Sequence, residues 1–115
     1  MYFSLLHLDS PIKPVIEWVR CLHDEGYYVC LVSGRGLEQA DRTTEWLEKH
    51  NVIYDRIFMR NANDTREDSI IKKEILDKIT PRANVAFAID DRPRVIRMWW
   101  ENGIKVYDVG KGIEF

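Results

Sequence analysis

Cysteine is scarce: Cys21 and Cys30 are the only two in 115 residues. Both lie in apolar segments, and neither has a ligand-spaced neighbour of the C-x-x-C kind. They read as two reduced core thiols in a cytoplasmic protein. Long hydrophobic runs are missing as well. None approaches the ~18 residues a membrane-spanning helix needs, and the N-terminus has no basic region, apolar stretch and small-residue cleavage site of a secretory signal. No sign of charge dominates. Lys plus Arg is 17 against 19 Asp plus Glu, a net charge of −2, so no global positive field drives non-specific nucleic-acid binding and any such contact must be local. There is no internal repeat, low-complexity stretch or linker. With 45% hydrophobic and 31% charged residues, the chain reads as one soluble domain, long enough to bury an ordinary core without disulfides or structural metal.

What is present is alternation. Residues 14–25 form an amphipathic helix with Val15, Ile16, Val19 and Leu22 on one stripe, ended by Gly26. The run Tyr27-Tyr28-Val29-Cys30-Leu31-Val32 reads as a buried parallel strand. A turn at Ser33-Gly34-Arg35-Gly36 leads to a helix over 37–49. A strand over 56–59, a polar loop and a helix over 67–79 follow, with Ile71, Ile75 and Ile79 spaced by four and Thr80-Pro81 as the stop. Val85-Ala86-Phe87-Ala88-Ile89 is the most strand-like stretch. A helix over 93–101 and a strand over 104–109 complete the chain. Strands alternating with helices predict a parallel sheet covered on both faces, which binds ligands beyond the carboxyl ends of its strands.

Three groups of reactive residues fall at such ends. Asp90-Asp91 follows the 85–89 strand. Adjacent carboxylates there repel each other and lose hydration, and a hard cation such as Mg²⁺ relieves both problems; equally, Asp91 caps the next helix ahead of Pro93. Ser33-Gly34-Arg35 offers a hydroxyl, helix-start N–H groups and a guanidinium to a phosphate, or is an ordinary turn. Asp64-Thr65-Arg66-Glu67-Asp68 supplies cap and first-turn acids to the 67–79 helix. Lys72, beside Ile71, reaches over the sheet end toward a phosphate or snorkels to solvent. The pattern argues against a dinucleotide site: Gly34-Arg35-Gly36 gives G-x-G, but Gln39 holds the third glycine position and Asn61 stands where an acid belongs. His7, His23 and His50 share no metal-like spacing, and one of Trp99-Trp100 packs on the sheet.

Together, Leu31-Val32-Ser33-Gly34-Arg35, Phe58-Met59-Arg60, Asp64-Thr65-Arg66-Glu67-Asp68 with Lys72, and Ile89-Asp90-Asp91-Arg92 with Val95, Met98 and Trp99 resemble the phosphatase domain of bacteriophage-type polynucleotide kinase-phosphatase. That is a branch of the haloacid-dehalogenase (HAD) phosphohydrolases. The resemblance runs from Tyr2 to Phe115. It implies a single three-layer, Rossmann-like α/β domain with a mostly parallel sheet, and Mg²⁺-dependent hydrolysis of the 3′-phosphate at a nucleic-acid end. Ser33, Gly34 and Arg35 resemble the phosphate-binding residues, Lys72 the phosphate-neutralising lysine, Asp91 the metal ligand and Asp90 its adjacent essential acid. Arg66 and Arg92 lie beside them as substrate contacts. A kinase domain is an implied neighbour.

One motif of that family is missing. The attacking aspartate and the acid/base aspartate belong to D-x-D-G-T at the end of the first, central strand, and no D-x-D-G-T occurs here. Residues 2–15 resemble the stretch that follows the motif, so the resemblance implies a chain beginning after it, with the nucleophile supplied from an upstream segment or a partner. A non-catalytic relative that binds a phosphorylated ligand, nucleic-acid end or protein is the alternative. The absent strand belongs between 27–32 and 85–89 and leaves a gap of ~9.6 Å. Residues 2–8, a strand from a second copy in a homodimer, or direct closure of the sheet would fill it. If residues 2–8 do, Asp9 falls at the nucleophile position and Pro11 at the acid/base position, which it cannot serve.

Overall fold

The computed structural model describes residues 2–6, 13–81 and 84–110. Strands and helices alternate along them: β1 (Tyr2–Leu6), α1 (Lys13–Asp24), β2 (Tyr28–Gly36), a 3-10 turn (Leu37–Gln39), α2 (Ala40–Lys49), β3 (Arg56–Arg60), α3 (Asp68–Ile79), β4 (Asn84–Asp90), α4 (Pro93–Glu101) and β5 (Val106–Asp108). The sheet order is β3-β2-β1-β4-β5, and every pairing is parallel.

Helices cover both faces. Val29 and Leu31 of β2, with Phe87 and Ile89 of β4, pack with Val15 and Val19 of α1 and Leu47 of α2. Cys30, Val32 and Ala88 turn the other way, onto Ile71, Ile75 and Ile79 of α3 and Val95, Met98 and Trp99 of α4. A strand buried on both faces has no polar side to alternate with, which is why β2 and β4 appear in the sequence as unbroken apolar runs. Gly26 ends α1 at φ +100°, in the left-handed region that glycine enters without steric cost, and its N–H closes onto the His23 carbonyl at 3.0 Å.

The centre of the sheet is filled by the chain's own residues. β1 stands between β2 and β4, with Phe3 opposite Tyr28 and Val85, and Leu6 opposite Leu31 and Ile89. Among the described strands the sheet has no gap. Direct closure is thus replaced by a real strand, and the homodimer expectation loses the vacancy on which it rested. Asp9 and Pro11 lie outside the described residues.

β2 departs from expectation in a way that shapes the site. The expected turn at Ser33–Gly36 is a continuation of the strand. Ser33 pairs with Met59 and Gly36 with Arg60, so two residues of β2, Gly34 and Arg35, stand between consecutive rungs of β3. Such a bulge bends the strand and re-aims its side chains.

The two thiols also separate. Cys30 is buried in the sheet, whereas Cys21 is exposed on α1. Cys21 follows Val19 by two residues, about 200° around a helix of 3.6 residues per turn, and so leaves the inner face. Burial pushes the Cys30 thiol up to about 11. One thiol per chain should therefore react with a disulfide reagent in the native protein and two after denaturation. Two fast-reacting native thiols would contradict the packing of β2. Among the described residues, no helix is long and apolar enough to cross a membrane.

Candidate phosphate site at the carboxyl edge of the sheet

A cavity of about 490 Å³ opens at the carboxyl ends of β2 and β3. Ser33, Gly34 and Arg35 reach it from the bulge, Arg60 from the last position of β3, Asp68 from the first turn of α3 and Arg92 from the cap of α4. Four of the residues expected from the sequence thus meet at one opening. The Arg35 amide donates to Ser33 Oγ at 3.1 Å, which fixes the bulge locally. A Cβ on Gly34 would come 2.6 Å from Asp68 Oδ1, so glycine is what lets the strand pass that carboxylate.

Asp68 organises the rim. Its side chain is only 12% exposed. It accepts from Arg60 Nη2 on one oxygen and from Arg92 Nη1 on the other. Arg60 also donates through Nη1 to the carbonyls of Asp64 at 2.9 Å and Arg66 at 2.8 Å, which pins the loop between β3 and α3. Charge-assisted pairs of this kind fix guanidinium geometry as well as adding energy. Arg60 and Asp68 carry no functional role in the sequence reading, where Asp68 is only a first-turn acid. The available signal is position: a charged residue at the carboxyl end of a parallel strand faces the ligand crevice, and Arg60 ends β3.

Arg66 is placed elsewhere. Its guanidinium binds Asp64 and Glu74, and it is not among the residues lining the cavity. The Arg66 hydrogen bonds hold the Asp64 carboxyl down to about 2. A carboxyl depressed in the folded state stabilises the fold above its ordinary value of about 4, and that contribution fades as pH falls from there through about 2. An NMR titration should give Asp64 a midpoint near 2 that returns toward 4 in Arg66→Ala; an unchanged midpoint would refute the pairing.

Lys72 and Asp90 form a second, fully buried layer. Their side chains are 0% and 1% exposed, with Lys72 Nζ 3.7 Å from Asp90 Oδ2. The lysine neither snorkels nor lines the cavity; α3 buries it on the same face as Ile71 and Ile75. Asp90 Oδ1 accepts from the amides of Asp91 at 2.8 Å and Arg92 at 3.1 Å. Oδ2 accepts from the buried Trp99 Nε1 at 3.1 Å. Asp90, expected beside the metal, thus has both oxygens engaged by protein donors, and its visible work is to shape the turn carrying Asp91 and Arg92.

Asp91 is the other carboxylate of the pair that could take a cation; like Lys72 it is not among the residues lining the cavity. Among the described residues no three His, Cys, Asp or Glu side chains cluster as a metal cage. Mg²⁺ does not require one: it is commonly held by one or two carboxylates together with phosphate oxygens and water. Asp91 and a bound phosphate suit that donor set.

Fold and site define an α/β domain of the HAD type, with a cationic cavity at the carboxyl edge of its sheet. The chain belongs to the polynucleotide kinase PNKP phosphatase-domain family, whose sequence profile matches residues 2–114. It is 33% identical over 86 residues to a protein of Autographa californica nuclear polyhedrosis virus named as a bifunctional polynucleotide kinase/RNA ligase; the match covers 73% of this chain and 12% of that protein. It is also similar to chains in two solved structures of the Pnkp1/Rnl/Hen1 complex, one of them titled an RNA repair complex. TM-scores are 0.85 and 0.88, each at 30% identity, covering 96% and 97% of this chain and 42% and 47% of those chains. The chain thus spans less than half the length of these relatives.

Proposed function

We propose that this chain is a single phosphatase-type domain acting on the 3′-phosphate of a nucleic-acid end, and that it supplies the phosphate- and Mg²⁺-binding part of that site. The observation that carries the reading is the convergence of Ser33, Arg35, Arg60 and Arg92 on one cavity. Three guanidiniums against one carboxylate, Asp68, leave that rim cationic. Planar N–H forks match the oxygens of a phosphomonoester dianion. The Ser33 hydroxyl adds an uncharged donor. Lys72 is paired with Asp90 in the buried layer, where the carboxylate offsets its charge. Asp91 would hold Mg²⁺, which supplies charge neutralisation of the phosphate oxygens.

The sequence contains no D-x-D-G-T, so on this reading the attacking carboxylate and the acid/base come from an adjoining segment or partner; Asp9, three residues past the central strand β1 in the sequence, is the candidate nucleophile within the chain. The longer relatives make a kinase or ligase module a natural neighbour. Such a protein works in the cytoplasm, as the reduced thiols suggest.

The test is phosphate release from a 3′-phosphorylated oligonucleotide with Mg²⁺, run with binding of inorganic phosphate on the same chain. Phosphate binding that weakens in Arg35→Ala, with no turnover until a D-x-D-G-T segment is joined upstream, supports the reading. Turnover by the chain alone, abolished in Asp91→Asn, would place a nucleophile within the 115 residues. Absence of any phosphate binding would sink the proposal.

A further inference from the structure

The cavity does not stop at its cationic rim. The same continuous space extends between β2, β3 and α2, where Trp46, Leu47, Val52 and Ile57 line it. Its volume of about 490 Å³ lies in the ~300–1,000 Å³ range of sites that enclose a whole small molecule, far more than a phosphate group occupies. The aromatic wall is held in place. Trp46 is partly buried against the inner cluster, and the His50 ring, one helical turn on, packs against its indole at 4.7 Å between centroids. We propose that this apolar lobe seats the nucleobase of the phosphorylated terminal nucleotide, with Trp46 as the stacking surface. The inference rests on the proposed phosphate site and names what the rest of the substrate touches.

The chemistry favours a base over other apolar groups. The lobe and the cationic rim are parts of one cavity, so a single ligand carrying a phosphate and an apolar group can occupy both. In a polynucleotide end, the apolar, flat group next to the phosphate-bearing sugar is the base. Stacking on an aromatic ring is worth ~1–3 kcal/mol per base and tolerates any sequence, which suits an enzyme of ends rather than of sequences. No lining residue of the lobe carries a charge, so the lobe selects for a planar apolar face rather than for one base.

Calorimetric titration with two phosphomonoesters separates the contributions. Glycerol 2-phosphate carries the phosphate without a base; adenosine 3′-monophosphate carries both. The nucleotide should bind about tenfold or more tightly, the increment expected for one stacked base. Trp46→Leu should bring the two affinities within about threefold of each other, and Trp46→Phe, which keeps a ring, should retain most of the preference. A thermal melt checks that both variants fold. Equal affinities in the wild-type chain, with phosphate binding intact, overturn the base seat alone. Loss of binding of both ligands overturns the proposed phosphate site and the base seat with it.

Discussion

Asp90→Ala is expected to lower the unfolding free energy by about 3–5 kcal/mol, the usual penalty for removing one partner of a buried ion pair. The loss is large because several donors depend on that carboxylate. Lys72 Nζ, Trp99 Nε1 and the amides of Asp91 and Arg92 all point at it. Removing it takes away a counter-charge 3.7 Å from a lysine at 0% exposure and the acceptor of a buried indole N–H. An orphaned donor costs the desolvation of its group. The double variant Lys72→Met, Asp90→Ala should regain part of the loss, because the buried charge goes with its partner. Urea denaturation monitored by circular dichroism measures both. A single-variant loss below about 1 kcal/mol would mean the pair does not hold β4 to α3 and α4.

Asp68→Ala is expected to weaken binding of inorganic phosphate about tenfold, although it removes a negative charge from an anion site. Two effects oppose each other. Deleting the carboxylate makes the rim more positive, and at a solvent-screened site one charge is worth ~1 kcal/mol. Against that, Arg60 and Arg92 lose the acceptor that orients them and must be ordered by the ligand. Immobilising such side chains costs ~0.5–1.5 kcal/mol each. Arg60 is 14% exposed and also pins the loop before α3, so its release carries the larger penalty and orientation wins. Titration at two salt concentrations decides the matter. Tighter binding in the variant, strongest at low salt, would show that Asp68 competes with the ligand rather than positioning the arginines.

The strand-helix alternation was legible because each element carries its own period or composition. The four helices and the strands at 27–32, 56–59 and 85–89 fall within a few residues of their observed bounds. The central strand was legible as a gap with three possible fillings, of which residues 2–8 were one. Filling it with Tyr2–Leu6 depends on backbone pairing to β2 and β4, a partnership between residues far apart in sequence that no local pattern encodes. The site shows the same division. Ser33, Gly34, Arg35 and Arg92 could be named from their places at strand ends, and they do converge. Arg60 carried the same strand-end signal, but its pairing with Asp68 was not legible: an arginine ending one strand and an acid opening a helix eight residues later become partners only when β3 and α3 meet. Arg66, sequence neighbour of the same acids, turns instead to Asp64 and Glu74.

The sequence by itself determined the layered α/β class, the edge of the sheet where the cavity opens and four of the residues that line it, since apolar periodicity and strand-end position are local properties of a chain. Tertiary structure decided how differently two carboxylates are surrounded. Asp90 and Asp91 are chemically identical neighbours, yet Asp90 is buried against Lys72 and Trp99, whereas Asp91 is half-buried on the turn beyond. Long-range packing sets the surroundings of a carboxylate, and those surroundings decide whether its oxygens serve the fold or a ligand.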